Sequence, residues 1–227
     1  MTPADVAAEV SETFGVRAAA TLSQQPRFAV AVPGGSVAAS VFPRLAALNL
    51  DWSRLDLTWV DERVVPFSDR ESNVGVTRQL LLNRLGSRGP RAILPAIDAG
   101  DPSSVALEWE GALIAALGSP PRLDLVILGM GPDGHVASLF SGHPVLAVTN
   151  HWTAGITDSP KPPPLRVTLT MATLASAGEI WIVAFGAEKA AAVAAARHDS
   201  ASALPAARVA RAGPPVRWFL DDLAAGG

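Results

Sequence analysis

The spacing of apolar positions changes repeatedly along the chain, and each change marks an element. Val6, Val10, Thr13 and Phe14 share one helical face, and Pro3 suits a first turn, so residues 3–22 are predicted to be a helix. Residues 27–32 contain the continuous apolar run Phe-Ala-Val-Ala-Val, which reads as a buried strand. It leads into Pro33-Gly34-Gly35-Ser36 and a helix predicted over residues 37–48. Residues 55–60 alternate and are rich in β-branched and aromatic types, as a strand requires, and they end in Asp61-Glu62-Arg63. Ser72-Asn73 caps a helix over residues 74–85, and Asp101-Pro102 opens another that runs to residue 117. The short run 93–97 fits no single period.

A central strand signal is Leu123-Asp-Leu-Val-Ile-Leu128, closed by Gly129-Met130-Gly131-Pro132-Asp133-Gly134-His135 and followed by a short helical pattern. Further strands are predicted over residues 152–156, 167–170, 179–185 and 216–220, with a short helix after residue 170, a helix over 187–197 and a frayed C-terminal end. Strands and helices alternate throughout without a repeat or a linker. This predicts one α/β domain over residues 1–227, with three layers: a mainly parallel sheet and helices on both faces.

Composition narrows the function. The 227 residues carry a net charge of −3 with no basic or acidic block, so neither nucleic acid nor a membrane surface is an expected partner. No apolar run is long enough to span a bilayer, and the N-terminus lacks a signal peptide's basic start and apolar core. The expected location is the cytoplasm. Zero cysteines exclude disulfides and thiolate metal sites, and the four histidines show no ligand spacing, so neither metal nor cofactor is expected.

Three stretches carry candidate chemistry. Strand, Gly34-Gly35-Ser36, helix is the layout of an anion site at a helix N-terminus, though it is also that of a plain strand-to-helix turn. Gly129-Met-Gly131-Pro-Asp-Gly134 matches the G-x-G-x-x-G of dinucleotide folds. Pro132 inside the turn, an early break at Gly142-His143-Pro144, and Asp158 lying in a proline loop all argue against that reading. His135, just past the end of a buried strand, is either a general base held by Asp133 or a structural ring bonded to the loop; the glycine-rich strand end favours the base. Backbone N–H groups of the Gly129, Gly131 and Gly134 turn are candidate oxyanion donors. Lys161, flanked by prolines in Ser159-Pro-Lys-Pro-Pro163, is presented from a stiff loop or simply solvated there. No Gly-x-Ser-x-Gly elbow exists for a serine nucleophile.

Taken in order, Pro33-Gly-Gly-Ser36, Trp59-Val-Asp-Glu-Arg63 with Val65-Pro66 and Ser72-Asn73, Leu128-Gly-Met-Gly-Pro-Asp-Gly-His-Val-Ala-Ser-Leu-Phe140, and Ser159-Pro-Lys-Pro-Pro163 with Arg166-Val-Thr-Leu169 resemble the 6-phosphogluconolactonases. These share a superfamily with glucosamine-6-phosphate deaminase. The resemblance implies a modified Rossmann-like sheet and hydrolysis of 6-phospho-D-glucono-1,5-lactone in the oxidative pentose phosphate pathway, by a monomer. It implies that His135 is the general base and that Gly34, Gly35 and Ser36 form the phosphate loop. Arg63 and Lys161 would hold the 6-phosphate, Asp61 would orient or bind a hydroxyl, and Arg166 would serve the phosphate or the loop. Val37-Ala38 replace the Thr-Pro frequent after that Ser, which removes one hydroxyl ligand. The sibling deaminase places a glutamate soon after its Asp-Gly-His; residues 136–144 here contain no carboxylate, so the deaminase is the second expectation. A sugar-phosphate-binding regulator without catalysis is the third.

Overall fold

The structure is a computed structural model and describes residues 1–97 and 100–227. The chain runs α1 (Pro3–Leu22), β1 (Phe28–Val32), α2 (Gly35–Leu45), β2 (Leu55–Trp59), β3 (Asp61–Arg63) and α3 (Asn73–Thr77). A π-helical turn then leads into α4 (Asn83–Leu85), β4 (Arg91–Ala92), α5 (Pro102–Leu117) and β5 (Leu125–Gly129). The remaining elements are β6 (Thr153–Ile156), β7 (Arg166–Leu169), α6 (Met171–Ala175), β8 (Ile180–Ala184), α7 (Ala190–His198), α8 (Pro205–Ala210), β9 (Val216–Leu220) and α9 (Asp222–Ala225).

Six strands form one parallel sheet in the order β4-β2-β1-β5-β8-β9. Successive residues of each strand face opposite sides, so the sheet feeds two cores. Val30, Leu57, Ile127 and Trp181 pack with α1 and α2 on one face. Ala31, Val126, Ile182 and the α5 residues Val105, Trp109 and Leu113 pack on the other. The three-layer α/β prediction therefore holds. Strand order runs outward in opposite directions from β1 and β5, which makes the gap between them a topological switch point. In open α/β sheets the crevice beyond that point receives the ligand.

A second sheet, absent from the sequence reading, is antiparallel with order β3-β7-β6. Val60 is its hinge: its N–H donates to Val32 O of the large sheet, while its carbonyl accepts from Leu169 N of the small one. Asp61 pairs with Thr168, and Arg63 lies directly opposite Arg166.

Three further predictions need correction. The helix after Gly34 begins at Gly35 rather than residue 37, because Gly34 is its N-cap. No helix follows His135; Val136 makes isolated bridges to Met130 and Leu139 and is fully buried, so the segment folds back as turns. The C-terminus does not fray. Asp221 caps α9 through Ala224 N, and Asp222 pairs with the terminal amine of Met1.

Candidate active site

The crevice at the switch point is a cleft of about 290 Å³. Its walls include Gly34, Gly35, Ser36, Asp61, Arg63, Gly129, Gly131, His135, Lys161 and Arg166, so segments far apart in sequence converge there. Of the predicted site residues, Asp133 and Gly134 do not line it.

The anion end is built by α2, the small sheet and α3. No side chain caps the N-terminus of α2, which leaves its first amides pointing toward the cleft. Gly35 has a φ of +62°, and a Cβ on Gly34 would lie 1.8 Å from Asn73 Oδ1, so both positions require glycine. Arg63 Nη1 donates to Glu71 O at 2.6 Å, yet its Nε is buried without a hydrogen-bond partner among the described residues. Nη1 also lies 3.5 Å from Glu71 Oε2, and across the strand pair Arg63 opposes Arg166, whose charge faces Asp61. A buried donor left free beside a helix N-terminus is suited to a phosphate.

Arg166 does a different job. It is 3% exposed, and its guanidinium donates to the carbonyls of Lys161, Pro162 and Pro163 at 3.0–3.2 Å. It therefore fixes the proline loop. Nη1 also reaches Ser138 Oγ at 3.3 Å and lies 3.6 Å from Asp61 Oδ2. Burial holds its pKa below the ordinary arginine value, against the pull of the Asp61 charge. Asp61 is itself tied down, accepting from Ser138 Oγ at 2.6 Å and Asn73 Nδ2 at 3.1 Å. Such a carboxylate is a fixed acceptor, suited to orienting a hydroxyl.

Glu62, one residue on, is fully buried and accepts from Arg63 N, Asn73 N, Val74 N and Ser72 Oγ at 2.7–2.9 Å. Burial pushes its pKa up; these donors oppose that without cancelling it. The carboxylate clamps the start of α3 to β3 and so sets Asn73 between Asp61 and Gly34.

The histidine end of the cleft lies at the turn after β5. His135 Nδ1 is 2.5 Å from Asp133 Oδ1, the contact expected if Asp133 holds the ring. Partial burial raises the Asp133 carboxyl, but the hydrogen bond and charge of His135, with Lys161 adding less, bring it down to about 2. The carboxylate is ionised at neutral pH and accepts from Nδ1–H; in the neutral form of the ring that arrangement leaves the lone pair on Nε2. A Cβ on Gly131 would sit 2.1 Å from the imidazole, so this glycine makes room for the ring. The ring also packs on Phe140, with centroids 4.8 Å apart.

The expected oxyanion role of the turn amides is not met by Gly131 and Gly134. Gly131 N donates to His135 O and Gly134 N to Gly131 O, so both are spent on holding the turn. Gly129 is the last residue of β5 and pairs with Val183 in the ladder. The three glycines shape the turn.

Two polar wall residues are not predicted as site residues by the sequence. In the sequence Asn73 stands out as part of a helix cap and of the family motif, without a role at the site. Lys189 is brought in by the turn Ala187–Lys189 after β8; the signal available was Gly186 closing a buried strand, with a cation one turn later.

A family described as glucosamine-6-phosphate isomerases/6-phosphogluconolactonase matches residues 1–218. A 6-phosphogluconolactonase of Rattus norvegicus is 38% identical over 236 residues, covering 98% of this chain and 90% of the rat protein. The solved 6-phosphogluconolactonase of Trypanosoma brucei superposes with a TM-score of 0.86 at 28% identity, covering 100% of this chain and 95% of the other. A monomeric glucosamine-6-phosphate deaminase shares the fold, with a TM-score of 0.82 at 18% identity over 100% of this chain and 97% of its own. Matched along nearly its full length, the chain belongs to the glucosamine-6-phosphate isomerase/6-phosphogluconolactonase family.

Proposed function

We propose that this chain hydrolyses 6-phospho-D-glucono-1,5-lactone to 6-phosphogluconate, the lactone-opening step of the oxidative pentose phosphate pathway. The observation that carries the reading is the His135–Asp133 contact, set in the same cleft as an open helix N-terminus and the unpartnered Arg63 Nε. Arg63, with Gly34, Gly35 and Ser36, binds the 6-phosphate, and Lys161 joins them once substrate arrives. Asp61 accepts from a sugar hydroxyl. His135 Nε2 takes a proton from water as the water oxygen attacks the lactone carbonyl. Collapse of the tetrahedral intermediate breaks the bond to the ring oxygen, which recovers the proton from the imidazolium. Phosphate binding is remote from the carbonyl and serves to hold it in place for attack. No redox group or covalent enzyme intermediate is required.

The deaminase reading lacks its carboxylate: Val136 and Leu139 after the base are both fully buried and apolar. The test is direct. The lactone is generated in situ from glucose 6-phosphate, and its decay is followed against the spontaneous rate. Wild type should accelerate it, and His135→Ala should lose about 10²- to 10⁴-fold in kcat while still binding 6-phosphogluconate. Undiminished turnover in His135→Ala would overturn the assignment of the base. No acceleration by wild type would overturn the function.

A further inference from the structure

Asp133 does not line the cleft but touches two residues that do. Its Oδ1 meets His135 Nδ1 at 2.5 Å, and its Oδ2 lies 3.4 Å from Lys161 Nζ. Lys161 therefore faces the base's aspartate, although the proposed function needs its ammonium at the phosphate. We propose that Asp133 divides its carboxylate between the two tasks, orienting His135 with one oxygen and parking Lys161 with the other, so that an incoming phosphate must draw Lys161 away from Asp133. This rests on the reading of the cleft as a phosphosugar site.

The local structure permits that exchange and little else. The backbone of the lysine loop is held by Arg166, which donates to the carbonyls of residues 161–163, and by Ser159 Oγ, which bonds both the N–H and the carbonyl of Lys161. Only the four-carbon stem of Lys161 is free to swing, and its side chain is 44% exposed. An ion pair this exposed is weak and gives way to a phosphate dianion in a cleft that already holds Arg63, Arg166 and Lys189. Asp61 is the carboxylate on the wall itself; it is engaged by Asn73, Ser138 and Arg166 and does not compete for the lysine. Parking weakens phosphate binding and eases product release. When Lys161 leaves, the Asp133 carboxylate serves the histidine alone during proton transfer.

A binding measurement tests this without the lactone. Inorganic phosphate is titrated into wild type, Asp133→Asn, Lys161→Met and the double variant. Asp133→Asn should bind phosphate about two- to fivefold tighter than wild type, the worth of an exposed ion pair, while its kcat falls. A merely structural role for Asp133 would not improve binding. The substitution also removes one negative charge from the whole neighbourhood, so the gain should shrink in the Lys161→Met background. An equal gain in both backgrounds, or none, overturns the proposal. A variant that fails to fold is bypassed by carbon-13 NMR of the Asp133 carboxyl. Phosphate should shift that signal in wild type and much less in Lys161→Met; no shift in wild type, or the same shift in both, overturns the proposal. Lactone hydrolysis is scored separately, so an active enzyme with no parking effect sinks this proposal alone.

Discussion

The two sheets of this molecule divide the work. In the large parallel sheet β1, β2 and β8 are buried along their whole length, and the sheet supplies the site mainly with strand ends: amides after β1, a glycine turn after β5. The small antiparallel sheet is also largely buried, with Ala154, Ile156, Val167 and Leu169 in the core, but it mixes these with charged residues, and from it come Asp61, Arg63 and Arg166 as side chains. Backbone placed by a buried sheet is rigid but chemically uniform; charge has to be brought by an element whose side chains line the cleft. The difference teaches that stability and ligand recognition here depend on different residues, and substitution can test how cleanly they separate.

The largest stability effect belongs to the large sheet. Trp181 is fully buried, and its ring packs on Phe219 at 5.1 Å. Trp181→Ala should cost about 3–5 kcal/mol in urea unfolding, with kcat per folded molecule unchanged. Arg63→Ala should do the reverse. Losing a charge-assisted contact worth about 1.5–3 kcal/mol to substrate raises KM tenfold or more, with little change in Tm. If Trp181→Ala lost kcat, or Arg63→Ala lost stability but not KM, the division of labour would fail. Asn73 joins the regions: its amide donates to Asp61 O at 2.9 Å and its oxygen crowds Gly34. Asn73→Ala should cost about 1–2 kcal/mol and raise KM as well, since both the carboxylate and the phosphate loop lose a support. A change in only one readout would assign Asn73 to one region.

The same division governs what was legible in the sequence. β1, β5 and β8 of the large sheet are continuous apolar runs closed by Gly or Pro, and their parallel pairing follows from the helices between them. β3 is three charged residues whose partner, β7, lies more than 100 positions away, so no local pattern announces it. Asp61-Glu62-Arg63 is readable as chemistry and unreadable as a strand. Glu62 looks like another exposed charge until burial and its donors identify it as a clamp. His135 and its turn are legible because glycine has a local steric cause. The commitment of the Gly131 and Gly134 amides is not, because it depends on how the segment after His135 folds back. Lys189 needed the strand order, which brings β8 beside β5.

The smallest expected effect concerns Asp133, which is attached to the large sheet's edge but belongs to the chemistry. Its carboxyl titrates at about 2 in the folded chain against an ordinary value of 3.8. A carboxyl whose folded pKa is depressed stabilises the fold above its unfolded pKa, and that stabilisation is lost as pH falls through the folded value. The shift corresponds to about 2.4 kcal/mol. With 44% of the side chain exposed, solvent screening cuts this to about 1 kcal/mol. Urea unfolding should therefore find Asp133→Asn about 1 kcal/mol less stable than wild type above pH ~5, with the gap closing between pH ~4 and ~2. A gap that stayed constant with pH would mean that the asparagine disturbs packing rather than charge. A gap of several kcal/mol would make the base's aspartate a pillar of the fold and break the separation between the sheet that stabilises and the groups that react.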